Sequence, residues 1–130
     1  MEKRDDFYLP EEVIEWMGLK KSEYLSKLIE LQADFDYGFE DYARYDHLLP
    51  QTLEAPDKMF EDSSEEYKIQ VYLRTYRDQE TFHQLVIGTV CDDKESKSSV
   101  FVPILSFVTK MDELAKQFCI GELKQRPTLN

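Results

Sequence analysis

The residues best suited to chemistry lie on one face of a predicted β-strand at positions 67–77, YKIQVYLRTYR. A period of two places cationic, amide and aromatic side chains on that face: Lys68, Gln70, Tyr72, Arg74 and Tyr76. Aromatic rings can stack on nucleobases and cations can hold phosphate, so the face is a candidate RNA-binding surface. Arg77, at the end of the strand, is a further candidate to hold phosphate. The alternative is the ordinary solvated face of an edge strand, on which tyrosines shield the sheet.

Two histidines, His47 and His83, carry the side chains best suited to proton transfer near neutral pH. Metal-independent cleavage of RNA requires a base for the 2′-hydroxyl, an acid for the leaving oxygen and a cation for the phosphate. His47, together with Arg74 or Arg77 and a hydroxyl such as that of Thr109 or Tyr72, could supply these roles. A purely structural role is the alternative for either histidine.

Carboxylates crowd positions 34–46, at Asp34, Asp36, Glu40, Asp41 and Asp46. Positions 34–38 read D-x-D-x-G, as at the start of a calcium loop, but the loop's third acid and its terminal glutamate are missing. Gly-rich phosphate loops and paired C-x-x-C motifs are also missing from the sequence. We therefore expect no metal and no cofactor. The carboxylates form either a solvated acidic face or a surface complementary to a basic partner.

The secondary structure predicted to position these residues changes from helix to strand near residue 66. Before it, apolar spacing predicts a short helix ending at Gly18 and a longer helix from Ser22 with an inner stripe that reaches Phe35. Further helical segments extend to about residue 62. After it, a period of two predicts strands at 67–77, 81–91 and 99–109, and Pro103 makes the third an edge strand or a bulged one. A helix at 112–118 follows.

This order predicts one α+β domain over residues 1–130. N-terminal helices pack on a small antiparallel meander sheet of three or four strands, and a C-terminal helix follows. Residues 1–8 and 122–130 are expected to be loose ends.

Acidity is concentrated in the helical half of the chain. The net charge is −11 overall, −12 over residues 1–66 and +1 over residues 67–130. Such a chain is repelled on average by nucleic-acid backbones and anionic lipid, although a local basic site remains possible. The N-terminus lacks an apolar signal-like region and no run reaches 18 apolar residues, so we expect a cytoplasmic protein without a membrane partner. Cys91 and Cys119 are predicted to be free thiols.

The segment HLLPQTLEAPDKMFE, followed by three strands, resembles the phage-type branch of the barnase–EndoU–colicin–RelE-like nuclease superfamily. The matching pieces are His47, Thr52-Leu53, Pro56, the strand at 67–77 and the FVT at 107–109, which places the resemblance over about residues 40–118. The resemblance implies a small α+β fold that cleaves RNA without a metal, with His47 as the motif position. Arg74 and Thr109 are added only from their placement on strands.

The first functional hypothesis is a metal-independent ribonuclease-like domain with RNA as its partner. His47 acts as base or acid, Arg74 and Arg77 hold phosphate, and Tyr72 or Tyr76 stacks on a base. This hypothesis expects the three predicted catalytic residues, His47, Arg74 and Thr109, to converge on one concave face, and it fails if they point to separate faces.

The second hypothesis is a non-enzymatic interaction protein of the inhibitor or immunity type. Its acidic, aromatic helical segment, residues 34–46, docks on a basic protein partner. Charge asymmetry favours this hypothesis, and the family resemblance favours the first. The oligomeric state does not follow from the sequence under either.

Overall fold

The computed structural model describes residues 9–77, 79–93 and 98–125. Helical elements dominate the first half, and strands dominate the second. In chain order they are α1 (Glu11–Leu31), α2 (Phe39–Tyr42), a 3-10 helix (Ala43–Leu48), α3 (Leu49–Glu54), β1 (Lys58–Asp62), β2 (Ile69–Arg77), β3 (Thr81–Asp93), β4 (Ser98–Thr109), α4 (Asp112–Phe118) and β5 (Glu122–Gln125).

The strands form one antiparallel sheet in the order β4-β3-β2-β1-β5. The α+β class with N-terminal helices is therefore confirmed, and the predicted C-terminal helix is present as the seven-residue α4. The sheet is larger than predicted, because its described part has five strands rather than three or four. As a result β2 is an interior strand between β1 and β3, not an edge strand.

The two additional strands replace segments that were predicted differently. The helical turn expected before residue 62 is in fact β1, which pairs with β2 from Lys58↔Leu73 to Asp62↔Ile69. Pairing with the open edge of β2 overrides a weak local helical preference. The tail predicted to be loose begins with β5, which pairs with β1, while residues 126–130 and the predicted leader 1–8 lie outside the described residues.

Helix α1 runs without a break through Gly18, so the predicted stop at that residue is wrong. A single glycine inside a helix costs only about 1 kcal/mol. Val13 and Tyr24 are buried on either side of it, and the packing of Tyr24 in the core outweighs that cost. The helix ends at Leu31, and Phe35, predicted to extend the inner stripe, is 66% exposed.

The two faces of the sheet are covered differently. Helices α1 and α4 cover one face, called here the helix face, where the main core forms around Leu28, Ile69, Leu85, Phe107 and Phe118. The opposite face carries a smaller core of Tyr37, Phe82 and Val108 at one end, under the helical run at 39–54. This smaller core lies beneath the candidate site.

Strand β4 is an edge strand of the described sheet and carries a register shift opposite Pro103, where Gly88 pairs with the proline. Both parts of the prediction for Pro103 are confirmed, because a proline that cannot donate to the ladder is accommodated at an edge and a bulge. Across the ranges that the structure describes, no helix has the length and apolarity needed to cross a membrane.

Candidate functional site

A pocket lies at the end of the sheet where the β2–β3 hairpin meets the 3-10 helix. It encloses about 380 Å³ and is called here the aromatic pocket. Its lining combines aromatic rings with a histidine, an arginine and a carboxylate: Tyr37, Tyr45, His47, Leu48, Tyr76, Arg77, Gln79, Glu80 and Phe82.

Strand pairing and ring packing position the aromatic side chains of this pocket. Tyr76 and Phe82 are directly paired across the hairpin, and their rings stack with centroids 5.6 Å apart and planes at 20°. Tyr45 packs on Phe82 at 5.0 Å and Tyr37 on Tyr45 at 5.2 Å. The Arg74 guanidinium lies 5.3 Å from the centroid of the Tyr76 ring, in cation–π contact.

A buried polar network holds the wall of the aromatic pocket in place. Thr52 donates its hydroxyl proton to the side-chain oxygen of Gln84, and the Tyr76 hydroxyl lies 2.9 Å from the Thr52 oxygen. The Gln84 amide nitrogen donates to the main-chain oxygen of Tyr45 at 3.0 Å. Thr52 and Gln84 are almost fully buried, so this network fixes the Tyr76 ring relative to the 3-10 helix.

Tyr37 closes one side of the pocket by donating its hydroxyl proton to Glu80 at 2.8 Å. Burial raises the pKa of Tyr37 well above its usual value, and its bonds to Tyr45 and Glu80 raise it further. Because the phenol stays protonated, it remains a donor to Glu80 throughout the physiological pH range.

The structure brings three of the predicted site residues together. His47 is exposed on the 3-10 helix, Arg77 is exposed at the end of β2, and both line the aromatic pocket with Tyr76. Arg74 adjoins them through its contact with the Tyr76 ring, and its guanidinium is anchored to the Ala55 carbonyl at 2.8 Å.

Thr109 does not join this group. It pairs with His83 and so lies on the helix face, whereas Arg74 and Tyr76 lie on the opposite face. Thr109 is only 1% exposed, and its hydroxyl donates to the Asp36 carboxylate. The convergence of all three predicted catalytic residues on one concave face is therefore wrong, and the position of Thr109 is that of an anchor between two loops.

Lys68 and Tyr72 lie towards the other end of β2 and do not line the aromatic pocket. The Lys68 ammonium pairs with Glu61 at 3.2 Å. The Tyr72 hydroxyl donates to Gln70, its ring packs edge-on against Phe101 at 5.0 Å, and burial raises its pKa. The shared face predicted for the polar side chains of β2 is present, but only its Arg74–Tyr76 end adjoins the pocket.

The carboxylates at positions 34–46 divide into two groups. Asp36 and Asp41 serve the local fold: Asp36 accepts from the backbone of Tyr37 and Lys110, and Asp41 accepts from Gly38 and Arg44. The other three are exposed, at Asp34, Glu40 and Asp46. Within the described ranges no cluster of three or more His, Cys, Asp or Glu residues is arranged to hold a metal ion.

A second pocket, of about 450 Å³, lies on the helix face between the sheet and α4, and is called here the His83 pocket. Its polar core is the set Thr75, His83 and Asp112, of which the sequence indicated only His83, as a possible proton-transfer group. Thr75 lies opposite His83 because Arg77 pairs with Thr81, and a different hairpin register would have separated them. The contribution of Asp112 depends on where α4 docks, which no local pattern predicts.

Comparison of the chain with protein-family models, curated proteins and solved structures finds no match. Function is therefore argued from geometry alone. The two pockets lie on opposite faces of the sheet, since Tyr76 and Phe82 line one and Thr75 and His83 line the other.

Proposed function

We propose that this protein is a small ribonuclease-like domain that cleaves RNA without a metal ion at the aromatic pocket. One observation carries the proposal: His47 and Arg77 line the same pocket as the stacked rings of Tyr76 and Phe82. Cleavage through the 2′-hydroxyl requires a proton acceptor, a proton donor and a cation for the phosphate. In this proposal His47 serves as the acceptor or the donor, Arg77 serves as the cation, and the rings offer a surface on which a nucleobase can stack.

In this proposal the exposed His47 imidazole takes the proton of the 2′-hydroxyl while water protonates the leaving 5′-oxygen, or it protonates the leaving oxygen while water takes the proton of the 2′-hydroxyl. Arg77 pairs with the phosphate, and its planar guanidinium matches two phosphate oxygens. Arg74 adds positive charge beside the Tyr76 ring, on which a base stacks. The hypothesis fails in its three-residue form, because Thr109 is buried on the other face. The proposed site therefore consists of His47 and Arg77 with the adjoining Arg74 and Tyr76, without Thr109.

The test is cleavage of single-stranded RNA by the purified protein in EDTA. Wild type is expected to cleave, and His47→Gln to lower the rate by about 10²- to 10⁴-fold, the usual loss for a general acid or base. Arg77→Ala is expected to weaken activity. Arg44→Ala is the matched control, since Arg44 is exposed on the same 3-10 helix and pairs with Asp41 outside the pocket. Wild-type activity in His47→Gln would overturn the proposal.

A second candidate function is docking on a basic protein as an inhibitor- or immunity-like partner. The observation that favours it is a set of exposed acidic and aromatic side chains within residues 34–46: Asp34, Phe35, Phe39, Glu40 and Asp46. Exposed aromatic side chains are enriched at binding surfaces, and the carboxylates would attract a basic partner. A complex that weakens as salt is added is the expected observation.

A further inference from the structure

The polar core of the His83 pocket has a defined protonation pattern. The His83 Nε2 atom lies 2.6 Å from the Asp112 carboxylate, and Nδ1 lies 2.9 Å from the Thr75 hydroxyl oxygen. A carboxylate only accepts, so Nε2 carries the proton and donates it to Asp112. In the neutral ring Nδ1 is then an acceptor, and the Thr75 hydroxyl donates to it.

This chain of hydrogen bonds matches the general signature of an activated nucleophile. A hydroxyl donates to an imidazole, and a carboxylate orients the imidazole from its other nitrogen. The distances fall within the range such pairs require. Thr75 and His83 are held at this separation by direct strand pairing, and Asp112 opens α4 against them.

We propose that the His83 pocket is an acyl-transfer site in which Thr75 is the nucleophile, His83 the general base and Asp112 a positioning residue. The substrate class is a small carboxylic ester with an apolar acyl group. This site is separate from the aromatic pocket and does not depend on ribonuclease activity.

The reaction proceeds in two steps. Thr75 Oγ attacks the ester carbonyl carbon while its proton passes to His83 Nδ1, and the bond to the leaving alcohol breaks as that alkoxide takes the proton from Nδ1. Water then attacks the acyl-threonine, giving its proton to Nδ1, and the Thr75 oxygen leaves and takes that proton back. The products are a carboxylic acid and an alcohol, and Thr75 is regenerated.

The lining of the pocket fits this substrate class. Phe60, Leu73 and Ala115 provide apolar walls for an acyl chain, and the volume of about 450 Å³ accommodates a small ester. Lys58 and Lys116 are also lining residues, together with Asp57, whose carboxylate accepts from the Thr75 N–H at 2.7 Å. In the proposed reaction a lysine ammonium faces the oxyanion that forms on the carbonyl oxygen.

Cys119 lines the same pocket but is a poor alternative nucleophile. Burial raises the pKa of its thiol to about 11, so almost none of it is thiolate near neutral pH. The hydroxyl of Thr75 is the group that has a base in hydrogen-bonding contact.

The test uses the full chain with two probes, a fluorophosphonate for covalent capture and p-nitrophenyl butyrate for turnover. Wild type is expected to gain one adduct, located at Thr75 by peptide mass spectrometry, and to hydrolyse the ester. Thr75→Val is expected to lose both signals, and Thr75→Ser to keep them. Thr81→Val is the matched control, because Thr81 is an exposed strand threonine outside the pocket and should behave as wild type.

The positioning role of Asp112 is tested separately, by measuring kcat and KM for the ester. Asp112→Asn is expected to lower kcat for the ester by at least about 10-fold with KM unchanged, and Asp112→Glu to restore much of it. Asp112 is exposed at the start of α4, so these variants should fold. Absence of a Thr75 adduct in wild type, an adduct at another residue, or full turnover by Thr75→Val would each overturn the proposal.

Discussion

At the scale of single residues, Asp36 shows how one side chain holds distant segments together. Its carboxylate accepts the hydroxyl proton of buried Thr109 and the backbone N–H groups of Lys110 and Tyr37. The loop that follows α1 is thereby fastened to the end of β4, close to Tyr37 of the aromatic pocket.

Replacement of Asp36 by Ala is expected to lower the free energy of unfolding by about 2–3 kcal/mol, because it leaves buried donors without a charged acceptor. The matched control is Asp34→Ala, since Asp34 is exposed two positions away and should change the stability by less than about 0.5 kcal/mol. Urea unfolding measures both, and equal stabilities of the two variants would contradict the anchoring role.

Residue-scale prediction from the sequence named residues that meet in one pocket but misplaced Thr109. His47, Tyr76 and Arg77 line the aromatic pocket, while the roles assigned to them stay predictions. Thr109 was chosen because it ends a strand, but which face it occupies depends on the register shift in β4. A shift of one residue in strand register moves a side chain to the other face of the sheet.

At the scale of elements, two glycines differ in the space available for a side chain. Gly88 lies in β3 opposite Pro103, and a Cβ atom there would come within 2.4 Å of the Val102 carbonyl oxygen and 2.5 Å of the Phe101 ring. Gly18 lies in the middle of α1, where an added Cβ atom would meet nothing within 4 Å.

Gly88→Ala is therefore expected to destabilise the protein by about 1–3 kcal/mol through steric overlap. Gly18→Ala should stabilise it by about 0.5–1 kcal/mol, because alanine is the better helix former. Thermal and urea unfolding of the pair provide the comparison. A stabilised Gly88→Ala variant would show that β3 and β4 do not approach each other as described.

Element prediction was reliable where the hydrophobic pattern is long. The three strands from residue 67 onwards and the C-terminal helix were recognised, because each has a clear period. β1 and β5 were missed, because they are short strands of five and four residues whose partners are distant in sequence. Their stability comes from pairing rather than from local preference.

At the scale of the whole molecule, the negative charge disfavours RNA binding and favours docking on a basic protein. Residues 1–66 carry a net charge of −12, and three exposed carboxylates on the 34–46 segment belong to this half. An RNA-binding site must overcome this field locally, whereas a basic protein partner would be attracted by it.

Docking on a basic protein is tested by reversing charge at all three exposed positions, Asp34→Lys, Glu40→Lys and Asp46→Lys. Pull-down from a native lysate at low salt is expected to recover a basic protein with wild type and to lose it with the triple variant. The control reverses Glu11, Glu12 and Glu30, which are exposed on α1 outside this surface. Equal recovery by the two triple variants would count against the docking surface.

Whether the aromatic pocket cleaves RNA through the 2′-hydroxyl, as proposed, is measured most directly with two matched oligonucleotides in EDTA. We expect cleavage of the all-RNA strand with a 2′,3′-cyclic phosphate at the new end, and no cleavage of the same strand made of deoxynucleotides. The product end is read by mass spectrometry, with His47→Gln as the slow reference. Intact RNA with wild-type protein, or equal cleavage of both strands, would contradict the proposed ribonuclease function.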